Sequence, residues 1–316
     1  MRIEVVTPAA IASTLGNSVT ARRWAGQLEK LGHDVEIMPM YEAQNCDLLV
    51  ALHAQRSHDS VMRYRSSRGD APLVVALTGT DLYRDLPGSA EARESLQVAD
   101  RLVVLQQHGL TDLPEEVREK GLVIYQAAEA PSIKPERQEH VFEVSVLGHM
   151  REVKDPLRAA FAVRSLPLTS NIRILQAGAA LEPEMAAAAR AEERANARYR
   201  WLGEKTAAEA KALLMRSRLM VLSSRMEGGA NVLSEAIACG IPVLCSRIPG
   251  SIGVLGENYP GYFPVGDTEV LTWLLERAER DRTFYELLRE RCLALRSLVD
   301  PEVERGRWAE LLSEFG

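Results

Sequence analysis

Ser223-Ser224-Arg225-Met226-Glu227-Gly228-Gly229-Ala230-Asn231-Val232-Leu233-Ser234-Glu235-Ala236 lies between two runs of different character. Leu219 to Leu222, before it, is a short continuous apolar run, the pattern of a buried strand. Val232 to Cys239, at its end, has helical spacing. A strand, a tight glycine loop and a helix N-terminus follow one another. The N–H groups of such a terminus attract phosphate, and glycines let a ligand approach the backbone closely. Glu227 and Glu235 flank the loop, where they could accept hydrogen bonds from sugar hydroxyls. A glutamate pair at this spacing occurs often by chance. Specificity comes from the continuation through Gly240, Ile241 to Cys245, and Pro249-Gly250. The stretch suggests a nucleotide-sugar site in an α/β fold.

Outward from it, the same alternation runs in both directions. Upstream, strands are predicted at Phe142 to Leu147, Ile172 to Ala177 and Tyr199 to Leu202, and downstream at Pro242 to Cys245. Helices are predicted around Pro156 to Leu166, Glu182 to Asn196 and Thr206 to Ser217, with helical tail segments near Thr283 to Val299 and Glu302 to Phe315. A separate series opens the chain. Its strands are Ile3 to Thr7, Val35 to Met38, Asp47 to Leu52, Leu73 to Leu77, Leu102 to Leu105 and Leu122 to Tyr125. A helix from about Ser18 to Leu31 places Trp24, Leu28 and Leu31 on one face. Continuous apolar strands between helices imply parallel sheets covered on both faces. The expectation is two Rossmann-like, doubly wound α/β domains facing a cleft. The first spans residues 1–128 and the second 141–300. Residues 129–140, with Pro131 and Pro135 and no periodicity, read as a linker and hinge. Trp308, Leu311 and Leu312 give the segment 301–316 an apolar face with which to pack back on the first domain.

Composition narrows the partners. The 316 residues suit about two domains, and a net charge of −6 with no basic block argues against nucleic acid. No apolar run is long enough to span a membrane, and Glu4 and Pro8 interrupt the N-terminal run too early for a signal peptide. The four cysteines show no metal-ligand spacing. Cys239 and Cys245, in apolar surroundings, read as buried thiols in a reducing, cytoplasmic setting.

Ligands of open α/β sheets bind beyond the carboxyl ends of strands, so those positions carry the candidates. After Phe142 to Leu147 come Gly148, His149, Arg151 and Lys154; the two cations could neutralise a diphosphate without a metal, or form a solvated charged turn. At the first turn, Asn17 or Ser18 could simply cap the following helix, with Thr20 beside them. His53 ends one strand and reads equally as structural or functional. Thr78, Gly79 and Thr80 present hydroxyls and N–H groups that could hold an anion. Asp81 could cap a short helix, and Arg84 could pair with Asp81 or Asp85. The chain contains no Asp-x-Asp, and no obligatory metal or other cofactor is expected.

These residues resemble a known family. Glu227 and Glu235, with seven residues between, are similar to the E-x7-E signature of family-four retaining glycosyltransferases of GT-B fold. The turn from Gly148 to Lys154 resembles that family's G-R-L-x-x-x-K phosphate motif; His149 stands in place of the usual arginine, and Lys154 matches in register. More narrowly, the segments Gly16 to Trp24, Val50 to Ala54, Val75 to Leu86 and Gly148 to Pro156 resemble the selenosugar synthases of selenoneine biosynthesis. The resemblance implies transfer from a UDP-sugar, UDP-N-acetylglucosamine, to the selenium of selenophosphate. It also implies roles. Glu235 would bind the ribose, and Leu202 and Gly203 the uracil. Glu227 with Gly228, Gly229, Ala230 and Asn231 would hold the donor sugar and β-phosphate, and Arg151 and Lys154 the leaving UDP. His149 falls on the donor side. Asn17, Thr20, His53, Thr78, Gly79 and Thr80 would face the acceptor. A conventional hydroxyl acceptor, or a nucleotide-sugar sensor without catalysis, would share the donor motifs.

Overall fold

Twelve strands form two six-stranded, wholly parallel sheets in the computed structural model, which describes residues 1–11, 13–131 and 135–316. The chain divides into two compact units. The first comprises Met1–Ala127, Glu227–Asn231 and Asp300–Gly316; the second comprises Ala128–Met226 and Val232–Val299.

In the first unit the strands are β1 (Arg2–Val6), β2 (Asp34–Met38), β3 (Leu48–Leu52), β4 (Leu73–Leu77), β5 (Arg101–Val104) and β6 (Gly121–Val123), in the order β2-β1-β3-β4-β5-β6. Every residue of β3 and β4 is buried, because helices cover both faces of the sheet. One face packs Trp24, Leu28, Trp308, Leu311 and Leu312 against the strands; the other holds Tyr41, Tyr64, Leu82 and Leu96. The helix Pro301–Ser313 thus completes this core. Its Trp308 ring meets Trp24 edge to face at 5.0 Å. Such a pair adds about 0.5–1.5 kcal/mol to the burial of two large side chains.

One local expectation fails here. The first long helix starts at Gly16, after Leu15, and has no side-chain cap. Asn17 and Ser18 therefore sit inside its first turn rather than before it. The Ser18 hydroxyl instead donates to the carbonyl of Ala10 at 2.9 Å, fastening the loop after β1.

In the second unit the strands are β7 (Phe142–Leu147), β8 (Ile172–Ala177), β9 (Tyr199–Trp201), β10 (Leu219–Leu222), β11 (Val243–Ser246) and β12 (Tyr262–Phe263), in the order β12-β11-β10-β7-β8-β9. The helix Ala207–Arg216 opens with a reciprocal capping box between Thr206 and Glu209. Cys245 is buried, but Cys239, the last residue of the helix Asn231–Cys239, is half-buried, and both are free thiols. Residues 132–134 of the expected linker lie outside the described residues; residues 129–131 and 135–140 form no strand or helix. No helix among the described residues is long and apolar enough to cross a membrane.

Each sheet has one point where the winding changes direction. In the first it lies between β1 and β3, in the second between β7 and β10. At such points the connections leave to opposite sides and open a crevice beyond the strand ends.

Candidate functional site

Beside the switch point of the second sheet, two glycines shape the strand ends. Gly148 leaves β7 with φ +132° and Gly178 leaves β8 with φ +152°, conformations that L side chains rarely adopt. A Cβ on Gly178 would run into the carbonyl of Gly148, so the two backbones touch. Gly178 in turn donates to the carbonyl of Gly203 at 2.8 Å, and Leu202 donates to that of Gln176 at 2.8 Å. The ends of β7, β8 and β9 therefore form one continuous rim carrying Gly148, His149, Leu202 and Gly203.

Beyond Gly148 the chain makes a bridge at Met150 and a short turn, Glu152–Lys154. Asp155 follows in the left-handed region, at φ +43°, and its carboxylate pairs with Arg158 at 2.8 Å. The turn is pinned from the next strand: Arg225 N–H donates to the Val153 carbonyl at 2.8 Å, and Ser223 Oγ to the Asp155 carbonyl at 2.8 Å. Arg151 and Lys154 thus stand, half-buried, on a braced backbone at the switch point. His149, Lys154, Gln176, Ser223 and Ser224 help line a cavity of about 30 Å³ there, room for about one water molecule. Glu235 sits half-buried one turn into the helix Asn231–Cys239.

The glycine loop has a different neighbourhood, for Glu227–Asn231 belongs to the first unit. A Cβ on Gly228 would collide with the backbone of Thr78 and Gly79, and one on Gly79 with that of Glu227 and Gly228. Gly229 lies against Leu105, and Gln126 Nε2 donates to its carbonyl. Glu227 and Ala230 are buried. Asn231 Oδ1 accepts from Arg23 at 2.7 Å. The loop is therefore brought to the Thr78-Gly79-Thr80 turn, and through Gln126 to Thr20, whose hydroxyl donates to Gln126 Oε1 at 2.8 Å.

His53 is wholly buried, at φ +76°. Its Nδ1 stands 3.2 Å from Asp81 Oδ1 and its Nε2 3.4 Å from Asp85 Oδ2. The side chain is held inside the unit and has no open face toward solvent. Asp81 does not cap its own helical turn; its Oδ2 accepts from the Ala54 N–H at 2.8 Å and closes the turn after β3. Arg84 pairs with Asp85 at 2.8 Å. Among the described residues, no group of three or more His, Cys, Asp or Glu side chains is placed to hold a metal ion.

Residues 126–292, just over half of the chain, match the family described as Glycosyl transferases group 1. The chain belongs to the group 1 glycosyl transferases. This glycosyl transferase has the GT-B fold, and several solved structures are similar to it over nearly the whole of both chains. The Anabaena protein Alr3699/HepE, in complex with UDP and glucose, has a TM-score of 0.78 and 16% identity over 99% of this chain and 100% of its own. A glycosyltransferase from Rickettsia africae has a TM-score of 0.78 and 15% identity, covering 99% and 98%. The sucrose-phosphate synthase of Thermosynechococcus elongatus follows with 0.74 and 15%, covering 99% and 98%.

Several residues around the candidate site escape a reading of the sequence. Gly178 had a usable signal, a glycine directly after an apolar strand. Arg23, Gln126 and Glu304 had none, since each is an ordinary polar residue whose partners lie far along the chain.

Proposed function

We propose that this glycosyl transferase takes the sugar of UDP-N-acetylglucosamine and joins it to the selenium of selenophosphate. The observation that carries the donor half is the braced turn from Gly148 to Lys154, at the switch point of the second sheet, with two cations on it. Fixed positive charge at that point suits a diphosphate leaving group. The Anabaena protein of the same fold, seen with UDP and glucose, supports the choice of nucleotide. The acceptor is supported by the resemblance of Gly16 to Trp24, Val50 to Ala54, Val75 to Leu86 and Gly148 to Pro156 to selenosugar synthases.

In this reading the C1–O bond to the diphosphate breaks as selenium attacks C1. Arg151 and Lys154 take up the charge that develops on UDP. Glu227 and the Gly228–Asn231 backbone hold the sugar and β-phosphate, Glu235 the ribose, and Leu202 and Gly203 the uracil, with His149 on the diphosphate turn. Water then cleaves the Se–P bond, giving the selenol sugar and phosphate. Selenophosphate is already anionic and polarisable, so no strong general base is required. Asn17, Thr20 and the turn Thr78-Gly79-Thr80 face the acceptor, and His53 supports that turn through Asp81. The positive charge at the leaving group comes from the protein, with no obligatory metal.

The test is to incubate the purified protein with UDP-N-acetylglucosamine, with and without selenophosphate, and to follow UDP and the selenium-containing product. UDP release that depends on selenophosphate, together with a carbon–selenium product, is expected. UDP release without that dependence, and no such product, would point to water or a hydroxyl acceptor; donor binding without turnover would point to a sensor. Lys154→Ala and Glu235→Ala should each lower kcat/KM for the donor by roughly 10–1,000-fold. Unchanged donor kinetics in both would remove the assignment.

A further inference from the structure

Arg23 is the centre of a hydrogen-bonded network inside the first unit. Its Nε donates to both carboxylate oxygens of Glu304, at 3.0 and 3.1 Å. Its Nη1 donates to Asn231 Oδ1 at 2.7 Å and its Nη2 to Gln126 Oε1 at 2.5 Å. Glu304 is buried and also accepts from Trp24 Nε1 at 3.1 Å and from the Ala127 N–H at 3.2 Å. Gln126 passes the contact on, donating through Nε2 to the carbonyl of Gly229. One guanidinium and one amide therefore grip both ends of the segment Gly229–Asn231.

We propose that Arg23 and Gln126 are positioning residues for the Glu227–Asn231 loop, with Glu304 as the anchor that aims the Arg23 fork. The inference rests on the reading of that loop as the part of the enzyme that holds the donor's sugar and β-phosphate. Two adjacent glycines give the loop more backbone freedom than any other pair of residues would. A loop that must present its backbone to a diphosphate sugar needs that freedom removed before the ligand arrives. Packing does this only in part, through the contacts of Gly228 with Gly79 and of Gly229 with Leu105. The network supplies the directional restraint. It also explains the residue types. Arg23 meets three partners from three separate nitrogens of a rigid planar fork, whereas an ammonium group offers its donors from a single nitrogen. Gln126 accepts from Arg23 and Thr20 through one atom while donating to Gly229 through another, which a side-chain amide can do and a carboxylate cannot.

Two variants test this. Gln126→Glu keeps an acceptor for Arg23 and Thr20 but turns the donor facing Gly229 into another acceptor. Arg23→Lys keeps a positive charge for Glu304 but loses the fork. Amide exchange over residues 227–231 should rise at least tenfold in Gln126→Glu, with the rest of the chain unaltered. In both variants kcat/KM for the donor should fall at least tenfold, with KM for the acceptor unmoved. Should Arg23→Lys lower Tm sharply, Gln126→Glu carries the test, since it leaves the Arg23–Glu304 pair in place. Exchange and kcat/KM both within twofold of the parent would overturn the proposal, as would raised exchange with unchanged kcat/KM. The parent protein is run alongside with UDP alone. If it fails to bind UDP, the donor reading falls, while the exchange measurement still reports on the network.

Discussion

The Ser223 hydroxyl donates to the carbonyl oxygen of Asp155 over 2.8 Å, so the end of β10 and the turn after β7 share one joint. Asp155 is a non-glycine residue in the left-handed region, a conformation that costs of order 1–3 kcal/mol and persists only when its surroundings enforce it. Ser223→Ala removes a donor and leaves a carbonyl with one partner fewer. Stability should fall by about 1–3 kcal/mol in a denaturant titration. Donor kcat/KM should also fall, because Lys154 immediately precedes the loosened residue. An alanine variant with native stability and turnover would show that the joint does not hold the turn.

The contact between Gly148 and Gly178 makes a sharper demand. Gly178→Ala meets both an unfavourable φ and the carbonyl of Gly148. Gly32, at φ +86° with nothing within 4 Å of its Cβ position, offers a control with a positive φ and no clash. Gly32→Ala should cost about 1–2 kcal/mol, the backbone penalty alone. Gly178→Ala should cost well over that and should abolish transfer. Equal melting shifts for the two would mean that the second sheet's rim yields easily.

Glu4 provides a pH-dependent test at a residue with no proposed part in catalysis or binding. Burial, reinforced by Glu36, pushes its pKa up from 4.5 to about 7. The folded state therefore binds a proton between these values that the unfolded chain has released. This contribution to stability is complete below about pH 4.5 and is lost as pH rises through 7. Glu4→Gln keeps an acceptor for Gln44 Nε2, which donates to Glu4 Oε1 at 3.1 Å, and removes the titration. The variant should match the parent near pH 4 and exceed it at pH 8, by an amount on the order of 1–3 kcal/mol. Parallel stability–pH curves for the two proteins would refute this.

Metal dependence separates two ways of stabilising the leaving diphosphate. With Arg151 and Lys154 as the source of positive charge, turnover in the presence of a chelator should equal turnover without it. Activity that is lost to the chelator and restored by magnesium or manganese would show that the two cations do not suffice.

The sheets are legible in the sequence because parallel strands bury both faces and so appear as uninterrupted apolar runs. β3 and β4, without an exposed residue, are the plainest instances. β12 has two residues and hence no period to read. The start of the first long helix is misplaced for a related reason: Asn17 and Ser18 have the chemistry of caps, but the loop fastened to Ala10 lets the helix begin earlier, behind an apolar Leu15. In the candidate site, the glutamates and glycines of residues 227–235 stand out in the sequence because they are close neighbours along it. Arg23 is not, because Gln126 and Glu304 reach it across 103 and 281 residues. Composition carries no trace of such a meeting.

The helix Pro301–Ser313 has a bearing on how the chain assembles during synthesis. Trp308 and Glu304 complete the first unit, yet they are translated only after every strand of the second. A growing chain paused anywhere before Asp300 carries Trp24 without its ring partner and Arg23 without its carboxylate. The usual order, in which the N-terminal part matures first on the ribosome, is therefore inverted for this face. The second unit's sheet can form while the first waits, half-built, for its last helix. A nonsense codon or protease cut near residue 299 would then disable the end of the molecule farthest from it in sequence.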